Sequence, residues 1–274
     1  MIRTAEMRGA FFFVTPATLL TLTILAVPLF YIFYNSVGGA GLSLAAFRDL
    51  LSSGLFLRTL ATTVIIAVSS AVLSLVLGYI IALHLTRQPP KRRSIYMMLV
   101  LLPFWTSVLV KCYAFTVLLG RAGLVNEFLS WVAGSPVQLE LVLNRIGVLI
   151  GMTNYLTPFV VFPILASLLA IDPAVYRAAT VMGAGPVRIF FTVTLPLSLP
   201  GIIAALSSVM VMGLGFFVIP ALLGGPRDAM LSNLVDFYTR ETLDWNMASA
   251  AGVLLLGLVV LVTVPLTILR KRKA

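Results

Sequence analysis

Carboxylates are scarce in this chain and missing from the middle of its apolar stretches. All nine Asp and Glu residues fall in loops or near the ends of hydrophobic runs, so none is positioned as an acid, base or metal ligand deep inside one. The other metal-ligating types are reduced to one histidine and one cysteine. A lone Cys112 permits no intramolecular disulfide and no cysteine metal cluster, and it reads as a small apolar residue in a helix. His84 has no second histidine or neighbouring acid to pair with and reads as an interfacial residue. No Gly-x-x-x-x-Gly-Lys-Ser/Thr phosphate loop occurs, and Gly213 and Gly215 lack the third glycine and strand context of a dinucleotide site. With no acid/base or nucleophile constellation either, the chain reads as a non-enzyme that carries no metal and no cofactor of its own.

What the sequence has in abundance is apolar surface. Sixty per cent of the residues are hydrophobic and 10% charged, a composition outside the soluble range. Six apolar stretches, at 10–34, 60–85, 96–119, 146–170, 195–222 and 247–269, reach or exceed the roughly 20 residues a helix needs to cross a bilayer. They leave no room for a separate soluble domain, so 1–274 reads as one all-α membrane domain. The first stretch is too long for a signal-peptide core and lacks a small-residue cleavage site, so it is expected to stay as a span.

Basic residues set the orientation, because Lys and Arg are retained on the cytoplasmic side. One side collects twelve of them, including Arg3, Arg8, Arg87, Lys91, Arg177, Arg188 and 270–273, against Glu6 and Asp172. The other collects six against seven acids. Both termini and the Asp172 loop are therefore expected in the cytoplasm. Charge spread over membrane-flanking loops also argues against a nucleic-acid partner, which needs one basic face.

Several spans carry polar or aromatic groups that need a protein or aqueous neighbour at membrane depth. The third holds Leu102-Pro-Phe-Trp-Thr-Ser-Val-Leu-Val-Lys-Cys-Tyr-Ala-Phe115, and Trp105, Lys111 and Tyr113 are candidates to line a pathway. An ionisable residue inside a span is a functional candidate by default, although Lys111 is close enough to the outer end to snorkel to the headgroups. Asn154 and Tyr155 in the fourth span, and Phe216 and Phe217 in the fifth, complete the candidate set. Gly213 and Gly215 are small enough to let another helix approach.

The segment between the fourth and fifth spans is the most informative. Asp172 can cap backbone N–H groups while Pro173 takes the first helical position, predicting a short helix over 173–182. Gly183, Gly185 and Pro186 then end it. Ala178-Ala179, Gly183, Val193 and Leu195-Pro196 stand at the spacing of Glu-Ala-Ala, three residues, Gly, nine residues, Ile, one residue, Leu-Pro. The segment resembles the signature loop of ABC importer permeases. Arg177 occupies the position where that family usually has Glu, so a carboxylate contact is not carried over to it.

Leu118-Leu-Gly-Arg-Ala-Gly-Leu-Val-Asn126, Leu195-Pro-Leu-Ser-Leu-Pro-Gly-Ile202 and Pro220-Ala-Leu-Leu-Gly-Gly225, with the third-span segment, look like the spermidine/putrescine branch of binding-protein-dependent permeases. The resemblance implies a type I importer permease fold in the inner membrane, within a heterotetramer. A second permease, usually a different chain, would share the pathway, two cytoplasmic ATPases would bind ATP and Mg, and a periplasmic binding protein would deliver the solute. Loop 172–194 would then couple the permease to its ATPase, through Asp172, Pro173, Tyr176, Arg177, Ala178, Ala179, Met182 and Gly183. A polyamine is the first substrate to expect, with opines or amino-acid derivatives, ferric iron, thiamine and phosphonates as alternatives. An ion-coupled secondary transporter would call for buried acids and an internal repeat, and neither is found.

Overall fold

The computed structural model describes residues 2–273, with side chains described for 14–39 and 41–268. Met1 and Ala274, and the side chains of Arg3, Glu6, Arg8 and residues 270–273 that entered the orientation reading, lie outside the described residues. All regular structure within them is helical. In chain order the α-helices are α1 (Ile2–Ser36), α2 (Ala45–Ser52), α3 (Gly54–Thr86), α4 (Pro90–Trp105), α5 (Val108–Leu119), α6 (Leu124–Ala133) and α7 (Arg145–Leu169). There follow α8 (Pro173–Val181), α9 (Pro186–Ile189), α10 (Leu195–Leu214), α11 (Val218–Leu223), α12 (Leu231–Arg240) and α13 (Trp245–Lys273).

Among the described residues, six segments are long and apolar enough to cross a membrane: Val14–Ser36, Gly54–Thr86, Val108–Ala133, Arg145–Leu169, Pro186–Leu214 and Trp245–Ile268. Helices suit that setting because they satisfy every backbone polar group within the segment. Two compact units divide the chain, one of residues 1–56 and 234–254 and the other of 57–233 and 255–274.

In the second unit α7 is the buried centre. Val148, Met152, Leu156, Val160, Val161 and Ile164 are fully enclosed, and α10 runs along it. In a bilayer, helices associate through close packing rather than water exclusion, so small residues at the seam matter. A Cβ added at Gly201 of α10 would lie 2.5 Å from Ser167 Cβ and 2.7 Å from the Pro163 carbonyl oxygen. One added at Gly78 of α3 would lie 2.6 Å from Val160 Cγ1. One added at Gly151 of α7 would likewise lie 2.8 Å from Leu223 Cδ1 of α11. Gly213, expected from sequence to provide a close approach, meets Ala67 at an ordinary 3.7 Å, and Gly215 has only the Val211 carbonyl oxygen at 3.8 Å.

Two stretches expected as continuous spans are broken. Stretch 96–119 divides between α4 and α5, with Thr106 extended and Ser107 also outside the helical region. Pro103 lacks a donor and cannot sustain the ladder, and the Thr106 N–H turns back to the Pro103 carbonyl at 3.3 Å. Stretch 195–222 divides between α10 and α11 at Gly215, Phe216 and Phe217. That opening is tolerated because its carbonyls find partners: Ser232 Oγ donates to Phe216 O at 2.6 Å, and Asn233 Nδ2 donates to Phe217 O at 3.1 Å.

Candidate coupling loop and pathway

The loop after α7 builds its own shape. Asp172 caps α8, one carboxylate oxygen accepting from the Ala174 N–H at 2.7 Å, with Pro173 in the first turn. At the other end Gly183 turns left-handed, φ 80°. Its N–H bonds the Thr180 carbonyl and the Ala184 N–H bonds the Ala179 carbonyl, both at 3.0 Å. This pair of bonds is the Schellman closure, which glycine allows without a Cβ penalty. The helix thus ends at Val181, one residue before the expected 182, with Met182 as its C-cap.

Few of its side chains are covered. Arg177 and Ala178 are exposed, Tyr176 and Ala179 half-buried. Val181 is 88% and Met182 84% exposed, and Val187 and Phe191 beyond them are also exposed. A row of apolar groups around a short, capped helix is a surface suited to receive another protein.

The stem behind the loop is irregular for a reason. α9 passes through a π-turn, Phe190–Thr194, into α10, and the Leu195 N–H bonds the Phe190 carbonyl five residues back. The wider turn makes room for the Pro196 ring, which in an α-helix presses on the carbonyl of Thr192. The Tyr79 hydroxyl of α3 lies 2.9 Å from Ser198 Oγ, and its ring meets Phe190 edge-on at 6.0 Å. Ser198 Oγ itself donates to Leu195 O at 3.0 Å.

The pathway candidates separate into two groups. Lys111, Tyr155 and Phe216 come together: Lys111 Nζ lies 5.0 Å from the Tyr155 ring centroid, and Tyr155 meets Phe216 at 4.7 Å. Phe159 joins at 5.9 Å from Tyr155, and Phe104 packs on Phe159 at 5.6 Å. Sequence reading singled out neither, because a phenylalanine in an apolar span carries no signal of its own. Trp105 and Tyr113 stand exposed and outside this cluster, as does the more lightly exposed Phe217.

Asn154 faces elsewhere. With Thr153 and Thr157 it lines a cavity of about 850 Å³ whose other walls are apolar residues of α3, α4 and α7. The buried Thr153 hydroxyl has no hydrogen-bond partner there. Two polar ties also escaped sequence reading. Arg145 Nε donates to buried Asp228 at 3.1 Å, fixing the start of α7 to the loop before α12. Buried Asn126 donates to Gly120 O and Leu139 O and accepts from the Leu139 N–H, pinning the irregular segment after α6. Among the described residues no group of three or more His, Cys, Asp and Glu could hold a metal ion.

Residues 74–274, which include the whole loop and all of the clustered aromatics, match the family described as the binding-protein-dependent transport system inner membrane component. The chain belongs to this family. It is a transmembrane permease subunit of an ABC importer and an inner membrane component, and ATP hydrolysis in such importers belongs to a separate subunit. The permease is 31% identical over 211 residues to the spermidine/putrescine transport system permease protein PotB of Escherichia coli (strain K12), covering 76% of this chain and 77% of that one. It is 29% identical over 252 residues to a putative 2-aminoethylphosphonate transport system permease protein, PhnU, of Salmonella typhimurium (strain LT2), covering 88% and 86%.

Solved structures agree on the fold. A bacterial ABC transporter involved in import of the acidic polysaccharide alginate matches with a TM-score of 0.79 at 19% identity, over 98% of this chain and 99% of that one. The MetNI methionine ABC transporter, in an inward-facing form, matches with a TM-score of 0.60 at 19% identity, over 80% and 96%. The ion-coupled alternative gives way to the family match.

Proposed function

We propose that the whole chain, 1–274, acts as one permease domain that forms half of a translocation pathway for a polyamine such as spermidine or putrescine. The observation that carries the substrate reading is the 31% identity to a spermidine/putrescine permease over three quarters of both chains. A second permease, expected to be a different chain, supplies the other half. Two cytoplasmic ATPases bind ATP and Mg, and a periplasmic binding protein presents the solute. The alginate importer crystallised with its solute-loaded periplasmic protein illustrates such a partner.

Within this assembly α8 docks into the ATPase, with Asp172 and Pro173 fixing its start, Gly183 its end, and Tyr176, Arg177, Ala178, Ala179 and Met182 offered to the partner. Both termini and this loop lie in the cytoplasm, following the excess of basic residues on that side. ATP-driven closure biases the spans between inward- and outward-facing states. Solute selection rests mainly with the binding protein, since the one carboxylate within the six described spans, Glu127, lies toward the end of Val108–Ala133 and none sits at mid-span to neutralise a cation.

A second reading, an aminoalkylphosphonate as solute, is favoured by the 29% identity to the 2-aminoethylphosphonate permease over a larger share of the chain. Proteoliposomes holding the full complex and its binding protein, given ATP and radiolabelled putrescine, spermidine or 2-aminoethylphosphonate, separate the two. ATP-dependent accumulation of polyamine is expected. Accumulation of the phosphonate alone would replace the first reading by the second.

A further inference from the structure

Lys111 sits in the first turn of α5, just after the break at Thr106 and Ser107. Three features make its position unusual. Among the described residues no carboxylate forms an ion pair with it. The N-terminal end of a helix is the positive end of the helix dipole, which disfavours a cation. Yet the ammonium is held 5.0 Å over the centre of the Tyr155 ring, whose π face attracts it. Tyr155 is in turn flanked by Phe216 at 4.7 Å and Phe159 at 5.9 Å.

The arrangement is a seat for a primary ammonium, already filled. A lysine side chain ends in –CH₂–NH₃⁺, the same group that ends a polyamine. The seat is assembled from separate elements: the ammonium comes from α5, the ring beneath it from α7, and Phe216 from the break after α10. A shift between these helices therefore opens it. We infer that Lys111 is a tethered stand-in for the ammonium of the cargo, occupying the Tyr155 seat until the importer rearranges and the cargo ammonium replaces it.

The chemistry has two consequences. Two ammonium groups repel, so Lys111 and cargo exclude one another from the seat. A tethered group competes at an effective concentration on the order of mM, so free solute at lower concentration does not displace it. The permease thus stays closed to stray small amines. The inference rests on the polyamine reading above for the identity of the cargo.

The test uses the full complex of this chain with its partner permease and ATPases in nanodiscs, without binding protein. Equilibrium binding of radiolabelled putrescine and of n-butylammonium, a monoamine probe, is measured. Lys111→Met vacates the seat and is expected to raise affinity for both probes by about tenfold, the scale of a partly desolvated cation–π contact. Lys111→Arg is expected to stay near the original affinity, and Tyr155→Leu added to Lys111→Met is expected to cancel the gain. If the Lys111→Met complex fails to assemble, Lys111→Gln carries the same comparison. No gain for n-butylammonium in the neutral variant, or a gain that survives Tyr155→Leu, overturns the inference. A Tyr155-dependent gain for n-butylammonium, in a complex whose original form imports no polyamine with its binding protein, leaves the ammonium seat standing and removes the polyamine reading instead.

Discussion

Gly183 in the loop and Gly201 in the helical seam both disfavour most side chains, for opposite reasons. Around Gly183 there is open space, and the demand comes from its own backbone, which turns left-handed at φ 80°. At Gly201 the backbone is ordinary helix, and the demand comes from Ser167, Pro163 and Ile164 of α7 pressed against it. The loop is therefore shaped by bonds among near neighbours: Asp172 to Ala174, Gly183 to Thr180, Ala184 to Ala179. It holds its form with Val181 and Met182 uncovered. The seam has no form apart from its partner helix. The docking role proposed for the loop suits the first arrangement, and a membrane core that must not slip suits the second.

The largest effect tests the seam. Gly201→Val places branched carbon where a single Cβ already meets Ser167 at 2.5 Å. Overpacking of this kind costs about 1–3 kcal/mol or more. The expected result is a lower Tm of the purified complex and a smaller folded fraction on size exclusion. Unchanged Tm and yield would mean that the seam adjusts freely, and the contrast with the loop would collapse.

Next comes the loop itself. Gly183→Ala forces a Cβ into left-handed backbone at about 1–2 kcal/mol, and the Schellman bonds weaken with it. Because nothing packs on this residue, the cost is local. ATPase stimulation by loaded binding protein is expected to fall severalfold while the Tm of the membrane core moves little. Gly183→Asn, which tolerates the left-handed region, is expected to recover most of the stimulation. Equal loss in both variants would show that bulk, not backbone conformation, decides the site.

The same division explains what could be read from the chain. Asp172, Pro173 and Gly183 act within a few residues of themselves, so their roles as cap, start and stop were visible in order along the sequence. Six spans were visible because hydropathy is also a local property. The ends of the breaks were not. The opening after Leu214 depends on Ser232 and Asn233, sixteen residues beyond the carbonyls they donate to. Arg145 and Asp228 are 83 residues apart in sequence. Gly213 looked like a contact glycine and Gly201 did not, because which helix face meets α7 is set by the partner. Lys111, Tyr155 and Phe216 were each conspicuous as polar or aromatic groups in a span, but Trp105 and Tyr113 were equally so, and the chain alone did not say which would converge.

The smallest predicted effect lies where the two regions join. Tyr79 of α3 reaches the stem of the loop through Ser198 at 2.9 Å and through an edge contact with Phe190. Tyr79→Phe removes the hydroxyl and keeps the ring. Ser198 still donates to Leu195 O, so no buried donor is stranded. Hydrogen bonds between membrane helices average roughly 0.6 kcal/mol, and a stability loss of that order, read as a small drop in Tm, is expected. If the loop carries its own shape, ATPase stimulation stays at the original level in this variant. A marked fall in stimulation with so small a loss of stability would mean that α3 sets the pose of α8 through the π-turn, and the loop would have to be counted with the core.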